Sequence, residues 1–153
     1  MSSFDPDYLE EMDRQSIQAF EDMVEERAFF QDAIESSIME EYIRADKDFA
    51  NEFFHLSIWK ASTVILNGLE VQVVVDSDDK LHISYGTAGF VDFKIDPVGM
   101  KLPVKCWIHT HPFGAAYFSG TDWLTVSIWQ PLMETAYVLG GPDHFGHWEQ
   151  STP

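Results

Sequence analysis

One cysteine, Cys106, stands among 153 residues, so no internal disulfide can form and packing or a bound metal must hold the fold. A reducing, cytoplasmic setting is expected. No run of about 18 apolar residues is present, which argues against a membrane span. The start, Met1 to Asp13, is acidic and does not resemble a basic stretch leading into an apolar one, so a soluble, unsecreted chain with no membrane partner is expected. Cations are scarce: 9 Lys and Arg against 26 Asp and Glu leave a formal charge of −17. Residues 1–60 hold 16 of the acids and 5 of the bases. A field of that sign repels phosphate backbones, which excludes nucleic acid as an expected ligand and favours a basic protein surface. A solvated helix face accounts for the same charge without any partner.

What the chain does have is a change of hydrophobic period. From Pro6 to Arg44 it is rich in Glu, Asp, Met, Phe and Ile with no glycine, and one or two helices are expected there. A second helical stretch runs from Asp48 to Leu66, with Asn67-Gly68 as its stop. Glu70 to Val75 then turns to β-branched residues, the cluster Asp76-Ser77-Asp78-Asp79 predicts a turn, and Leu81 to Tyr85 a return strand. Further strands are expected at Phe90–Ile95, from Val104 to Thr110, at Thr135–Leu139 and at His144–Trp148. Ser119 to Trp129 predicts a helix that Pro131 stops. Helix, strands, helix, strands is the order of an α/β or α+β sandwich around a mixed sheet.

The strand ending His109-Thr110-His111-Pro112 places both histidines on one face, with Cys106, Ile108 and Thr110 on the other. Two imidazoles can then reach one ion, and Asp122 offers a carboxylate from the first turn of the next helix. Two nitrogens and an oxygen, with a fourth position left for water, are what a catalytic zinc needs. Ser119-Gly120-Thr121-Asp122 also fits a capping box, in which Asp122 would serve the helix alone.

His-x-His-Pro followed by Ser-x-x-Asp at this spacing resembles the JAMM (MPN-plus) metalloprotease family. The likeness runs back through Phe90 to Met100, forward to the strand at Ala136–Leu139, and covers roughly residues 48–149. It implies a curved mixed sheet between helices in residues 47–153, with residues 1–46 as an acidic helical extension. It also implies one zinc on His109, His111 and Asp122, and cleavage of isopeptide or peptide bonds after ubiquitin or a ubiquitin-like modifier. Glu70 takes the family's general-base position, although the glycine usual soon after it is replaced by the Val71-Gln72-Val73 run. Ser119 takes the position that donates to the oxyanion. The same chemistry on a prokaryotic ubiquitin-like or sulfur-carrier protein, a RadC-like relative and a non-catalytic scaffold of the same fold are the competing readings.

In the acidic front helix, Phe30, Ala33-Ile34, Ser37 and Glu40 resemble a ubiquitin-interacting motif, with small residues for close approach and apolar ones for contact area. An amphipathic helix that packs on the catalytic domain explains the same spacing. His144 and His147 lack a third ligand, His55 and His82 read as core-flanking or exposed, and Cys106 as a packing residue. Phe113, Tyr117 and Phe118 lie between the ligands and are candidates to line a substrate groove.

Overall fold

The computed structural model describes residues 6–86 and 99–151. The strand expected at Phe90–Ile95 lies outside them. Two compact units are distinguished, Met1–Ser36 and Ser37–Pro153. The first unit is helical. Helix α1 (Pro6–Arg44) fills it and continues into the second. In the first unit Met12, Ile17, Phe20, Met23 and Phe29 are exposed among acidic neighbours.

The second unit is an α+β fold on a five-stranded mixed sheet of order β2-β1-β3-β4-β5. Its strands are β1 (Val71–Val75), β2 (Leu81–Tyr85), β3 (Val104–Thr110), β4 (Met133–Leu139) and β5 (Phe145–Glu149). All pairs are antiparallel except β3 with β4, which is parallel. A parallel neighbour needs a crossover, and α3 (Gly120–Trp129), followed by a 3-10 turn at Gln130–Leu132, supplies it.

Each sheet face is covered. Val74 and Trp107, opposite one another on β1 and β3, join Ala136 and Val138 of β4 in a core closed by Val126 of α3 and by Met100, Phe118 and Met133. Val73, Cys106, Ile108 and Tyr137 point to the other face, where His55 of helix α2 (Glu52–Lys60) packs on Tyr137 at 4.8 Å between ring centroids. Tyr42, from the last turns of α1, packs on Phe54 of α2 at 4.8 Å and donates a 2.8 Å hydrogen bond to Asp79 Oδ1. Lys105 Nζ reaches the same oxygen at 2.9 Å, so one carboxylate fastens α1, the β1–β2 turn and β3.

Local chemistry sets the boundaries. Helix α2 starts at Glu52 and not at Asp48, because the Asn51 side chain accepts from the backbone N–H groups of Phe53 (2.8 Å) and Phe54 (3.1 Å) and caps it there. Its end widens into a π-helical turn, Ala61–Ile65, and Asn67 and Gly68 leave it at φ of 55° and 99°. No helix of the described residues is long and apolar enough to cross a membrane.

Adjacent phenylalanines of α2 separate burial from propensity, since Phe54 is fully buried and Phe53 is exposed. Phe54→Ala is expected to lower the unfolding free energy by about 3–5 kcal/mol, and Phe53→Ala by no more than about 0.5 kcal/mol. Urea denaturation of both variants checks this.

Candidate metal centre

The centre is assembled at one end of the sheet, where β3 finishes and β1 begins. The period of two puts Trp107 and His109 on the α3 face of β3. There the Trp107 indole stacks on the His109 imidazole, with centroids 4.4 Å apart and planes 12° from parallel. Trp107 Nε1 donates to Gln72 Oε1 at 3.0 Å, and Gln72 Nε2 donates to Ser84 Oγ at 3.2 Å. The orientation of His109 therefore rests on a chain of contacts across three strands. Thr110 points to the opposite face, where its hydroxyl accepts from Val71 N–H (2.9 Å) and donates to Ser62 Oγ (2.8 Å).

His111 lies one residue beyond the strand, yet its N–H still donates to the Leu139 carbonyl at 2.8 Å. Its Nδ1 faces the Ala115 carbonyl at 3.2 Å. A proton on Nδ1 satisfies that oxygen and leaves Nε2 with a free lone pair. The tautomer is assigned from this contact.

Asp122 enters from the first turn of α3. Ser119 Oγ accepts from Asp122 N–H at 3.1 Å, while Asp122 Oδ2 accepts from Ser119 N–H at 2.9 Å. That is a complete capping box. The capping box, read in the sequence as an alternative to ligation, does not draw Asp122 away from the histidines: Oδ2 lies 3.1 Å from His109 Nε2 and 3.1 Å from His111 Nε2.

These three side chains form the one group of His, Cys, Asp or Glu among the described residues that could hold a metal ion, with ligand atoms within 4.8 Å of one another. Their geometry fits an ion. Ligands about 2.0–2.1 Å from a tetrahedral metal stand about 3.3 Å apart, close to the separations seen. The sharper sign is His109, almost wholly inaccessible to solvent, whose Nδ1 and Nε2 have no hydrogen-bond partner. Nε2 is near Asp122 without hydrogen-bond alignment, and an unpartnered buried donor or acceptor costs about 1–3 kcal/mol. A metal at Nε2 removes half of that penalty.

Protonation follows from burial and the shared carboxylate. Burial lowers the His109 pKa, against Asp122, which raises it, and so favours the neutral ring, the form that ligates. Asp122 acts in the other direction on His111, whose pKa it raises more than burial lowers it. Burial pushes the Asp122 carboxyl up, but the two imidazoles outweigh it and hold the group well below the usual carboxylate range.

Glu70 immediately precedes β1, and the pairing of Gln72 with His109 brings it to the same end of the sheet. Its carbonyl accepts from Gly86 N–H at 2.9 Å. The side chain is buried, and desolvation raises its pKa to about 7, with His111 lowering it and Asp122 raising it further. Both electrostatic partners belong to the centre. Glu70, His109, His111, Ser119 and Asp122 are therefore brought together, although Glu70 and Asp122 lie far apart in the sequence.

The loop between the ligands divides. Phe113 and Tyr117 are exposed, as a groove lining requires. Phe118 is buried in the core and lies 6.2 Å from the His109 ring, between centroids, so it supports the centre from beneath. The Phe113 ring reaches back to Gly68, where an added Cβ would lie 2.5 Å from Cζ. Among the remaining histidines, His55 is buried with Nε2 2.6 Å from the Phe49 carbonyl, and His82 pairs with Asp76 at 2.9 Å. His144 and His147 are exposed and pair with Asp143 and Glu149. Cys106 is fully buried, and burial raises its thiol pKa far above the ordinary value. Trp107, Gln72 and the Ala115 carbonyl were not singled out from sequence. Trp107 could have been found, because it sits two residues before His109 on the same strand.

In the ubiquitin-motif segment, Phe30, Ala33 and Ser37 are exposed and Ile34 is buried. Comparison with protein-family models, with curated proteins and with solved structures gave no match to this chain.

The raised pKa of Glu70 has a measurable effect on the metal-free protein. Below 4.5 the carboxyl is protonated whether the chain is folded or not. As pH rises toward 7 the unfolded chain gains charge first, so stability contributed by the neutral carboxyl is lost through that window. In chelator, Glu70→Gln is expected to gain on the parent by about 3 kcal/mol between pH 4 and pH 8, from about 1.4 kcal/mol per pKa unit. Denaturant unfolding at both pH values tests it. A constant difference would show that Glu70 ionises normally.

Proposed function

We propose that this chain is a zinc-dependent hydrolase of the JAMM type, which removes ubiquitin or a ubiquitin-like modifier by cleaving an isopeptide or peptide bond. The observation that carries the reading is the convergence of His109, His111 and Asp122 beside a buried carboxyl, with both nitrogens of His109 unpartnered. The mixed sheet covered by helices on both faces agrees with the fold that the sequence resemblance implies.

Two neutral imidazoles and a carboxylate favour zinc over hard cations such as magnesium or calcium. Zinc in this setting supplies Lewis acidity toward a carbonyl and toward water. Glu70 takes the proton from the attacking water at its carboxylate. The water oxygen bonds to the carbonyl carbon, the C–N bond breaks, and the proton passes from Glu70 to the leaving amine. A carboxyl with a pKa of about 7 ionises and reprotonates readily at neutral pH. The Ser119 hydroxyl oxygen already accepts from Asp122 N–H, which leaves its O–H to donate to the carbonyl oxygen as charge develops there. Exposed Phe113 and Tyr117 flank the approach and supply apolar contact for an extended substrate segment.

The test is a panel of ubiquitin chains and ubiquitin-like fusions, incubated with parent protein, with chelator and with Glu70→Gln. We expect the parent to contain about one zinc by elemental analysis. Glu70→Gln is expected to keep its zinc and lose turnover, whereas His109→Ala with His111→Ala loses both. Near-normal cleavage by Glu70→Gln would place the base elsewhere, and a zinc-free parent would remove the proposal.

The front helix is assigned a second role in the same reading. Phe30, Ala33 and Ser37 remain open to a modifier, and a tethered binding surface raises the effective substrate concentration. Titration of labelled ubiquitin into the inactive Glu70→Gln chain is expected to show weak binding that Ala33→Asp with Ser37→Asp abolishes. Binding unchanged in that variant, or absent at millimolar ubiquitin, would leave the helix a structural element only.

A further inference from the structure

Resting on the metal reading above, we infer that Gly140 is a positioning residue for the metal centre, acting on His111 through the Ala115–Ala116 backbone. Gly140 immediately follows β4 and contributes no ligand. Its relation to the centre is one of space. A Cβ built on Gly140 would lie 2.6 Å from Ala116 Cα and 2.7 Å from the Ala115 carbonyl carbon, and would overlap Ala116 N as well. These are backbone atoms, which cannot swing aside as a side chain does. Gly140 has no positive φ, so the backbone there suits any residue and the close approach alone demands glycine.

The segment that Gly140 admits holds the outer face of a ligand. Ala115 presents its carbonyl to His111 Nδ1 at 3.2 Å, and the preceding residue of β4, Leu139, accepts from His111 N–H at 2.8 Å. His111 is thereby held twice by the β4 terminus, once directly and once through the loop packed on Gly140. The second hold decides which nitrogen is free. A methyl group at position 140 displaces Ala115–Ala116, the Nδ1 contact opens, and the ring is released to rotate or to change tautomer. Partners of this kind, outside the ligand set, typically set metal affinity within about 10–100-fold.

Gly141 is the matched control, since the atoms nearest a Cβ there belong to the exposed His144 side chain, with Nδ1 at 3.1 Å. Gly146 offers a milder displacement of the same loop, with a Cβ 2.9 Å from the Ala116 carbonyl oxygen and 2.9 Å from Val138 Cγ1, a side-chain atom that can give by rotation. Zinc affinity is measured on the full chain by competition with a chromophoric chelator. Gly140→Ala is expected to bind zinc about 10–100-fold more weakly than the parent, Gly146→Ala to fall in the same direction, and Gly141→Ala to match the parent. In the zinc-loaded parent, long-range proton–nitrogen correlation is expected to place the His111 proton on Nδ1.

Parent-like zinc affinity in Gly140→Ala overturns the inference while leaving the metal centre intact. A zinc-loaded parent whose His111 carries its proton on Nε2 overturns it too, and does so without any variant. If Gly140→Ala fails to fold, Gly146→Ala and the proton position decide the matter. A parent that takes up no zinc is a different result, because it removes the proposed function itself.

Discussion

Strand β3 is held on both edges, and the centre depends on that double pairing. Along one edge His109 faces Gln72 of β1, and along the other it faces Val138 of β4. Neither neighbour can slip by one residue without turning His109 and Trp107 to the α2 face and Thr110 to the α3 face. Register in this strand is therefore equivalent to the existence of the site. Parallel pairing with β4 obliges the chain to cross over between the two strands. Asp122 stands at the start of that crossover, at the end of the sheet where the histidines emerge, before α3 runs back to the beginning of β4.

Charge inside the centre is organised around Asp122. Its carboxylate lies near two imidazoles and accepts one backbone N–H, which together hold its pKa well below the usual carboxylate range. The two histidines respond differently because they are buried to different extents. His109, deep against Trp107, has its pKa lowered by burial, and His111, at the margin, has its pKa raised by Asp122. Glu70 completes the set as a carboxyl kept partly neutral by desolvation. Two acids within one small region, one strongly ionised and one not, are what a base beside a ligand requires.

Much of this was legible in the sequence, and what was not has definite physical reasons. The strands at 81–85 and 104–110 follow from alternation and β-branching, and Ser119 marks the start of α3 because hydroxyls cap helices. The grouping of His109, His111 and Asp122, which could hold a metal ion, was visible because ligand chemistry restricts residue type as well as spacing. The start of α2 was misplaced by a few residues, since Asp48 and Asn51 are both capping residues and only tertiary packing selects between them. Phe118 reads as a loop aromatic but is buried, because the loop folds under the His109 ring. Contacts through backbone atoms, such as the Ala115 carbonyl on His111 and the Ala116 backbone beside Gly140, leave no trace in side-chain patterns. They follow from how far apart two segments lie, which a linear chain does not record.

If Asp122 both caps α3 and holds the proposed metal, that double use constrains how such a chain can diverge. A lineage that abandoned its metal would still draw helix stability from Asp122, since the cap with Ser119 needs no ion. His109 would be under the opposite pressure. Stripped of a ligand role, it is a buried imidazole with two unanswered nitrogens, and an apolar residue stacked on Trp107 would serve the core better. Decay of the centre would therefore begin at the strand and spare the helix. In descendants with no remaining chemistry, the aspartate would persist as a vestige whose origin its present duty conceals.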